Sequence, residues 1–183
     1  KKALEHFVEF AALLGIAEDE ASAAFAVALG KQEAYFAAAR TMGQEALADA
    51  RTSGRPVIAL LGRPYNAFTA ESNMGIPRKF TTRGYSVIPF DILPFEDEAI
   101  FPNMYWYYGQ QDMKAANYLK NEDNIFITFI TNFSCAPDSF ILHYIKWAMG
   151  AKPFLILELD HPFDGVMQFS DAPFLDVIAH LGQ

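Results

Sequence analysis

Val57-Ile58-Ala59-Leu60-Leu61 is five apolar residues in a row, closed off by Pro56 before it and Gly62 after it. A strand that shows water neither of its faces reads this way, and such strands belong to parallel sheets covered by helices on both sides. Three more runs of the kind follow, Tyr85–Phe90, Ile125–Ile130 and Phe154–Leu159. Helical stretches separate them. Ile76–Arg83 has Pro77 near its start and Gly84 past its end, Met104–Leu119 is rich in aromatics, and Ser139–Met149 stops at Gly150. Asp171–Leu181 reads as a last helix. Four alternations of strand and helix predict an α/β fold: a Rossmann-like open, mainly parallel sheet of about four strands flanked by helices.

Residues 1–53 differ. Leu4, Phe7, Val8, Ala11 and Leu14 recur at helical spacing, and Gly15 ends that segment. The alanine-rich residues 19–29 read as a second short helix with Gly30 as its break, and Lys31–Thr52 as a third, stopped at Ser53-Gly54. The expected organisation is a helical cap segment over 1–53 and a Rossmann-like α/β domain over 54–183. The chain starts without Met inside one amphipathic pattern and stops just after another, so a domain of a longer polypeptide is expected, without a secretory leader at this start. No apolar run reaches the roughly 18 residues of a membrane span, so no membrane partner is expected.

The net charge of −8 argues against nucleic acid as a partner, which calls for a basic footprint. The charge is uneven, however. Between residues 55 and 83, Arg55, Arg63, Arg78, Lys79 and Arg83 stand against Glu71 alone. Such an island suits a small anion or an acidic protein face, or is a solvated helix face. Cys135 is the one cysteine, which fits a reducing cytoplasm and rules out an internal disulfide. With it stand only His6, His143, His161 and His180, too scattered for a closed zinc site.

In a parallel sheet the working groups gather beyond the carboxyl ends of the strands. Four segments fall there: Gly62–Asn66, Asp91–Leu93, Thr131–Asp138 and the acidic turn Asp160–Asp164. Gly62-Arg63-Pro64-Tyr65-Asn66 holds one glycine, and Arg63 and Pro64 stand where bare backbone would meet a pyrophosphate, which excludes NAD binding. No Gly-Lys-Ser/Thr exists, which excludes a Walker-type ATP site. Arg63 can fork onto a carboxylate or phosphate, or pair with a local acid such as Asp91. Arg63 and Asn66, with Arg78 at the start of the next helix, are the candidate anion-binding residues.

Ser134-Cys135-Ala136-Pro137-Asp138-Ser139 joins the third strand to a helix. The free N–H groups of a helix start stabilise a thiolate, so Cys135 is expected to have a lowered pKa and to be reachable; a buried apolar filler is the other reading. His143 lies inside the helix, so no base stands close in sequence and no catalytic residue is assigned. Asp138 and Ser139 suit a helix cap. Glu158, Asp160, His161 and Asp164 suit either a hard cation or a solvated turn, and Met104–Tyr108 reads mostly as packing, with stacking on a ligand as the other use.

Taken together, four segments resemble one family: Leu61-Gly62-Arg63-Pro64-Tyr65-Asn66, Asn73-Met74-Gly75-Ile76-Pro77, Met104-Tyr105-Trp106-Tyr107-Tyr108-Gly109-Gln110 and Thr131-Asn132-Phe133-Ser134-Cys135-Ala136-Pro137-Asp138-Ser139-Phe140. The family is that of the bacterial and archaeal CoA-substrate-specific enzyme activase-related proteins, large fused relatives of the 2-hydroxyacyl-CoA dehydratase system. The similarity spans about residues 25–165 and is to an uncharacterised domain beside the activase modules. It implies an ATP-driven electron-transfer assembly in which an activase feeds an iron–sulfur protein acting on a CoA thioester. It implies activase (ATPase) modules or dehydratase-like subunits as partners, and Cys135 as a candidate iron–sulfur ligand. Ala136 stands where the family's motif has glycine, and no second cysteine is present. No cofactor is therefore expected in the isolated chain, and a cluster would draw its other ligands from elsewhere. A non-catalytic α/β scaffold that docks the activase or another subunit is the alternative.

Overall fold

The computed structural model describes residues 2–132 and 135–159. The expected turn at 160–164 and the helix at 171–181 lie outside them. Helix α1 spans Lys2–Leu13 and α2 spans Glu18–Ser53. Gly30 does not break α2, contrary to the sequence reading. One glycine costs a helix about 1 kcal/mol, and the alanines around it are the best helix formers. Two compact units lie along the chain, one ending at Met42 and the next beginning at Gly43. In the first, Ala11 and Ala21 are buried and the Phe7 and Phe25 rings meet at 5.4 Å. None of the described helices is long and apolar enough to cross a membrane.

The second unit carries the sheet. Strand β1 is Val57–Gly62, followed by a four-residue helix α3 (Pro64–Ala67), α4 (Ile76–Thr81) and β2 (Ser86–Pro89). A 3₁₀ turn at Phe90–Ile92, α5 (Tyr107–Leu119), β3 (Ile125–Asn132), α6 (Ala136–Met149) and β4 (Leu155–Leu159) complete it. The four strands are parallel in the order β2-β1-β3-β4. The fold is α/β, with a four-stranded parallel sheet flanked by helices, as the alternation of patterns predicts. Two local differences have plain causes. Pro64 has its φ preset for a first helical turn and starts α3 inside what reads as loop. Trp106 is extended at φ −83° and ψ 124°, so α5 begins at Tyr107 and not at Met104.

Successive β1 residues alternate between two cores, as the pleat requires. Val57, Ala59 and Leu61 face one side with Leu47, Met113, Leu119, Ile141 and Ile145, so the end of α2, α5 and α6 cover that face. Ile58 and Leu60 face the other with Ala67, Ile76 and Phe80, which α3 and α4 supply. Arg51 of α2 pairs with Glu122, and Asn124 bonds the carbonyl of Ala50, tying the end of α2 to the entry of β3. The chain leaves β1 toward β2 over the α3–α4 face, and leaves β3 toward β4 over the α6 face. One crossover hand forces this change of face when the direction reverses. The carboxyl ends of the neighbours β1 and β3 thus form a topological switch point, where departing loops open a crevice.

Candidate functional site

Gly62 closes β1 opposite Ile130 of β3, at φ +122°. A Cβ there would lie 2.3 Å from the Ile130 carbonyl oxygen, so only glycine lets the strands run this close at the crevice. The Gly62 N–H donates to Oδ1 of Asp112 at 3.1 Å. Asp112 comes from α5, is 1% exposed, and its Oδ2 has no hydrogen-bond partner among the described residues. Burial pushes its pKa up to about 8; the Gly62 N–H pulls the other way, the charge of Asp138 adds to the rise, and Arg63 opposes it.

Arg63 turns back across the crevice. Its Nε donates to Oδ1 of Asp138 at 3.1 Å, and Nη1 to the Tyr65 hydroxyl at 3.3 Å. Thr131, at the end of β3, donates its hydroxyl to the other Asp138 oxygen at 2.7 Å. Asp138 is 2% exposed, whereas the Arg63 side chain keeps 24%. Burial opposes the guanidinium charge, and the Asp138 hydrogen bond and charge outweigh it, so the Arg63 pKa stands above its ordinary value. The sequence alternative, a pair with Asp91, does not form: Asp91 lies in the 3₁₀ turn after β2, on the side of β1 away from β3, whereas Arg63 turns toward Asp138 at the β3 side. Asp138 does not cap α6 either. Cys135 is the N-cap residue, and the Asp138 carboxylate is spent on Arg63 and Thr131.

Cys135 is a free, half-buried thiol at the start of α6, with its N–H bonded to the Asn132 carbonyl at 3.2 Å. Its pKa is raised, the reverse of the sequence expectation. Burial is the main cause. The Asp138 N–H stabilises the thiolate, but the Asp138 carboxylate acts against it. A helix end lowers a thiol pKa only where its field is not cancelled by an acid in the first turn.

Asn66 sits in α3 at 2% exposure, where Oδ1 accepts the Asn132 side-chain amide at 2.9 Å; its own Nδ2 has no partner among the described residues. It stitches the two crevice loops together. Arg78 is on the exposed side of α4, across the sheet from the helices beside Arg63. An open groove of about 260 Å³ lies at the crevice mouth, lined by Arg63, Tyr105, Trp106, Tyr107, Tyr108 and the α6 start at Pro137 and Asp138. Asp112 escaped the sequence reading. Its signal is positional: with Gly109, Met113 and Ala116 it falls on the buried stripe of α5, where an acid has no packing role.

No group of three or more His, Cys, Asp or Glu among the described residues is placed to hold a metal ion. An iron–sulfur cluster normally takes about four thiolates, and this chain has one cysteine, so its residues do not fit a complete cluster. A family model described as the CoA enzyme activase uncharacterised domain matches residues 1–93, just over half of the chain. No curated protein and no solved structure matches it.

Proposed function

The chain belongs to the family of the CoA enzyme activase uncharacterised domain, and on that premise we propose that it is a non-autonomous domain of an ATP-driven iron–sulfur electron-transfer system serving a 2-hydroxyacyl-CoA dehydratase-like enzyme. ATP hydrolysis falls to an activase module, since Arg63 and Pro64 fill the place of a phosphate-cradling loop here. The observation that carries the reading is the switch-point crevice. Arg63, Asp138, Thr131 and Asn66 fix it, and it presents the half-buried Cys135 at its rim without a second thiol. A domain so built offers part of a site and needs a partner to complete it.

Exposed rings favour a second reading, a docking scaffold for the activase or a dehydratase-like subunit. Tyr105 is 86% exposed, Tyr107 70% and Trp147 77%. Large exposed aromatics of this kind concentrate at protein contacts. One experiment separates the two. The full-length protein with its activase is reconstituted anaerobically with iron and sulfide, and its electron paramagnetic resonance spectrum is compared with that of Cys135→Ser. A lost or altered cluster signal supports the thiolate role. An unchanged signal with retained activase association supports the scaffold.

A further inference from the structure

The groove at the crevice mouth combines a fixed cation with a wall of rings. The Arg63 guanidinium is held from behind through Nε by Asp138. Among the described residues its only other side-chain partner is the Tyr65 hydroxyl on Nη1, so its outer edge fronts the groove. Both Asp138 oxygens already accept hydrogens, from Arg63 and Thr131, so that carboxylate is turned inward. Residues 105–109, which supply the opposite wall, carry no charged side chain. Trp106 is braced edge-on by Phe140 at 5.5 Å, and Tyr108 by Tyr107 at 5.3 Å.

We propose that this groove binds a small planar aromatic anion, a ring carrying a carboxylate or a phosphate. A guanidinium edge takes either group through paired N–H donors. The rings beside it offer a face to stack on. A bare inorganic anion leaves the aromatic wall unused, and a neutral ring leaves the outward N–H donors of the guanidinium unused. The groove is open and falls just under the roughly 300–1,000 Å³ of pockets that enclose a drug-sized ligand, so the ligand is small and partly in solvent. Because Asp138 holds the guanidinium in place before binding, little ordering cost falls on the ligand step. Asn66 and Arg78 have no part in it. The proposal stands independently of the redox reading.

The test is ligand-observed nuclear magnetic resonance on the full chain with four probes: benzoate, AMP, cyclohexanecarboxylate and inorganic phosphate. Saturable binding of benzoate or AMP is expected, roughly tenfold tighter than that of cyclohexanecarboxylate and phosphate. Benzoate alone identifies a carboxylate ligand and AMP alone a nucleotide; both together support the shared chemistry. Arg63→Lys, which keeps the charge and loses the fork, and Tyr107→Ala, at an exposed ring, each weaken binding several-fold while the circular dichroism spectrum is unchanged. If Arg63→Lys does not fold, Tyr107→Ala and the cyclohexane comparison decide. Absence of saturable binding by both aromatic probes, equal affinity for cyclohexanecarboxylate, or unchanged affinity in the folded variants overturns the proposal.

Discussion

Arg63 Nε and Asp138 Oδ1 stand 3.1 Å apart across 75 residues of chain, joining the loop after β1 to the first turn of α6. The acid is buried and the base is not fully so. Removing Arg63 therefore leaves a buried carboxylate that keeps the Thr131 hydroxyl but loses its cation. Arg63→Ala is expected to cost about 2–4 kcal/mol in urea unfolding at pH 7, well above an exposed pair. A double-mutant cycle with Asp138→Asn should return a coupling of about 1–3 kcal/mol. Additive losses would show that the two side chains do not act as a pair.

Cys135 gives a second check, because it is the only thiol. Its raised pKa keeps it protonated at neutral pH, and the thiolate is the reactive form. Native alkylation by iodoacetamide, followed by mass, should be slower at pH 7 than that of free cysteine. The rate should keep climbing at pH values where free cysteine has levelled off. Cys135→Ser should keep the fold, since a half-buried sulfur adds little packing. Faster labelling than free cysteine would restore the lowered pKa expected from the helix end alone.

The strands were legible because burial on both faces writes itself as unbroken apolar runs such as Val57–Leu61. The sheet order was not. Nothing local says that β3 and not β2 receives the Arg63 side, so the sequence names Asp91 as a partner and leaves Asp138 to a helix cap. The Cys135 pKa failed for a related reason. The helix start is visible in Pro137, but burial and the inward carboxylate of Asp138 are properties of the packed state. Gly43 lies inside the Lys31–Thr52 helical pattern with nothing local to mark it, because the backbone it touches comes from a distant turn.

That contact separates two helical glycines. A Cβ on Gly43 would lie 1.8 Å from the Ile92 carbonyl oxygen, whereas one on Gly30 meets nothing within 4 Å. Helix propensity alone makes either Gly→Ala change favourable by up to about 1 kcal/mol. Gly30→Ala should raise the melting temperature. Gly43→Ala should lower it, because backbone yields less readily than a side chain, with a net cost of about 1–3 kcal/mol. Matched stabilisation by both variants would mean that α2 does not press on the turn after β2.

Asp112 provides the pH test. Burial raises its folded pKa to about 8 from the usual 3.8, so folding favours the neutral acid. The sign follows from proton counting. Below about pH 4 both the folded and unfolded chains hold the proton, and the site imposes no charge penalty. Between about pH 4 and 8 the unfolded chain releases the proton and the folded chain keeps it, so stability falls as pH rises, by up to about 1.4 kcal/mol per unit. Above about 8 both are ionised and the loss is complete. Asp112→Asn keeps an acceptor for the Gly62 N–H and cannot ionise. Its unfolding free energy, measured beside the native sequence from pH 4.5 to 8.5, should exceed the native value by a gap that widens with pH and reaches several kcal/mol. Titrating groups that do not interact with Asp112 cancel in that difference. A gap that stays constant over the range would mean that Asp112 is ionised in the folded protein and has a partner for its second oxygen.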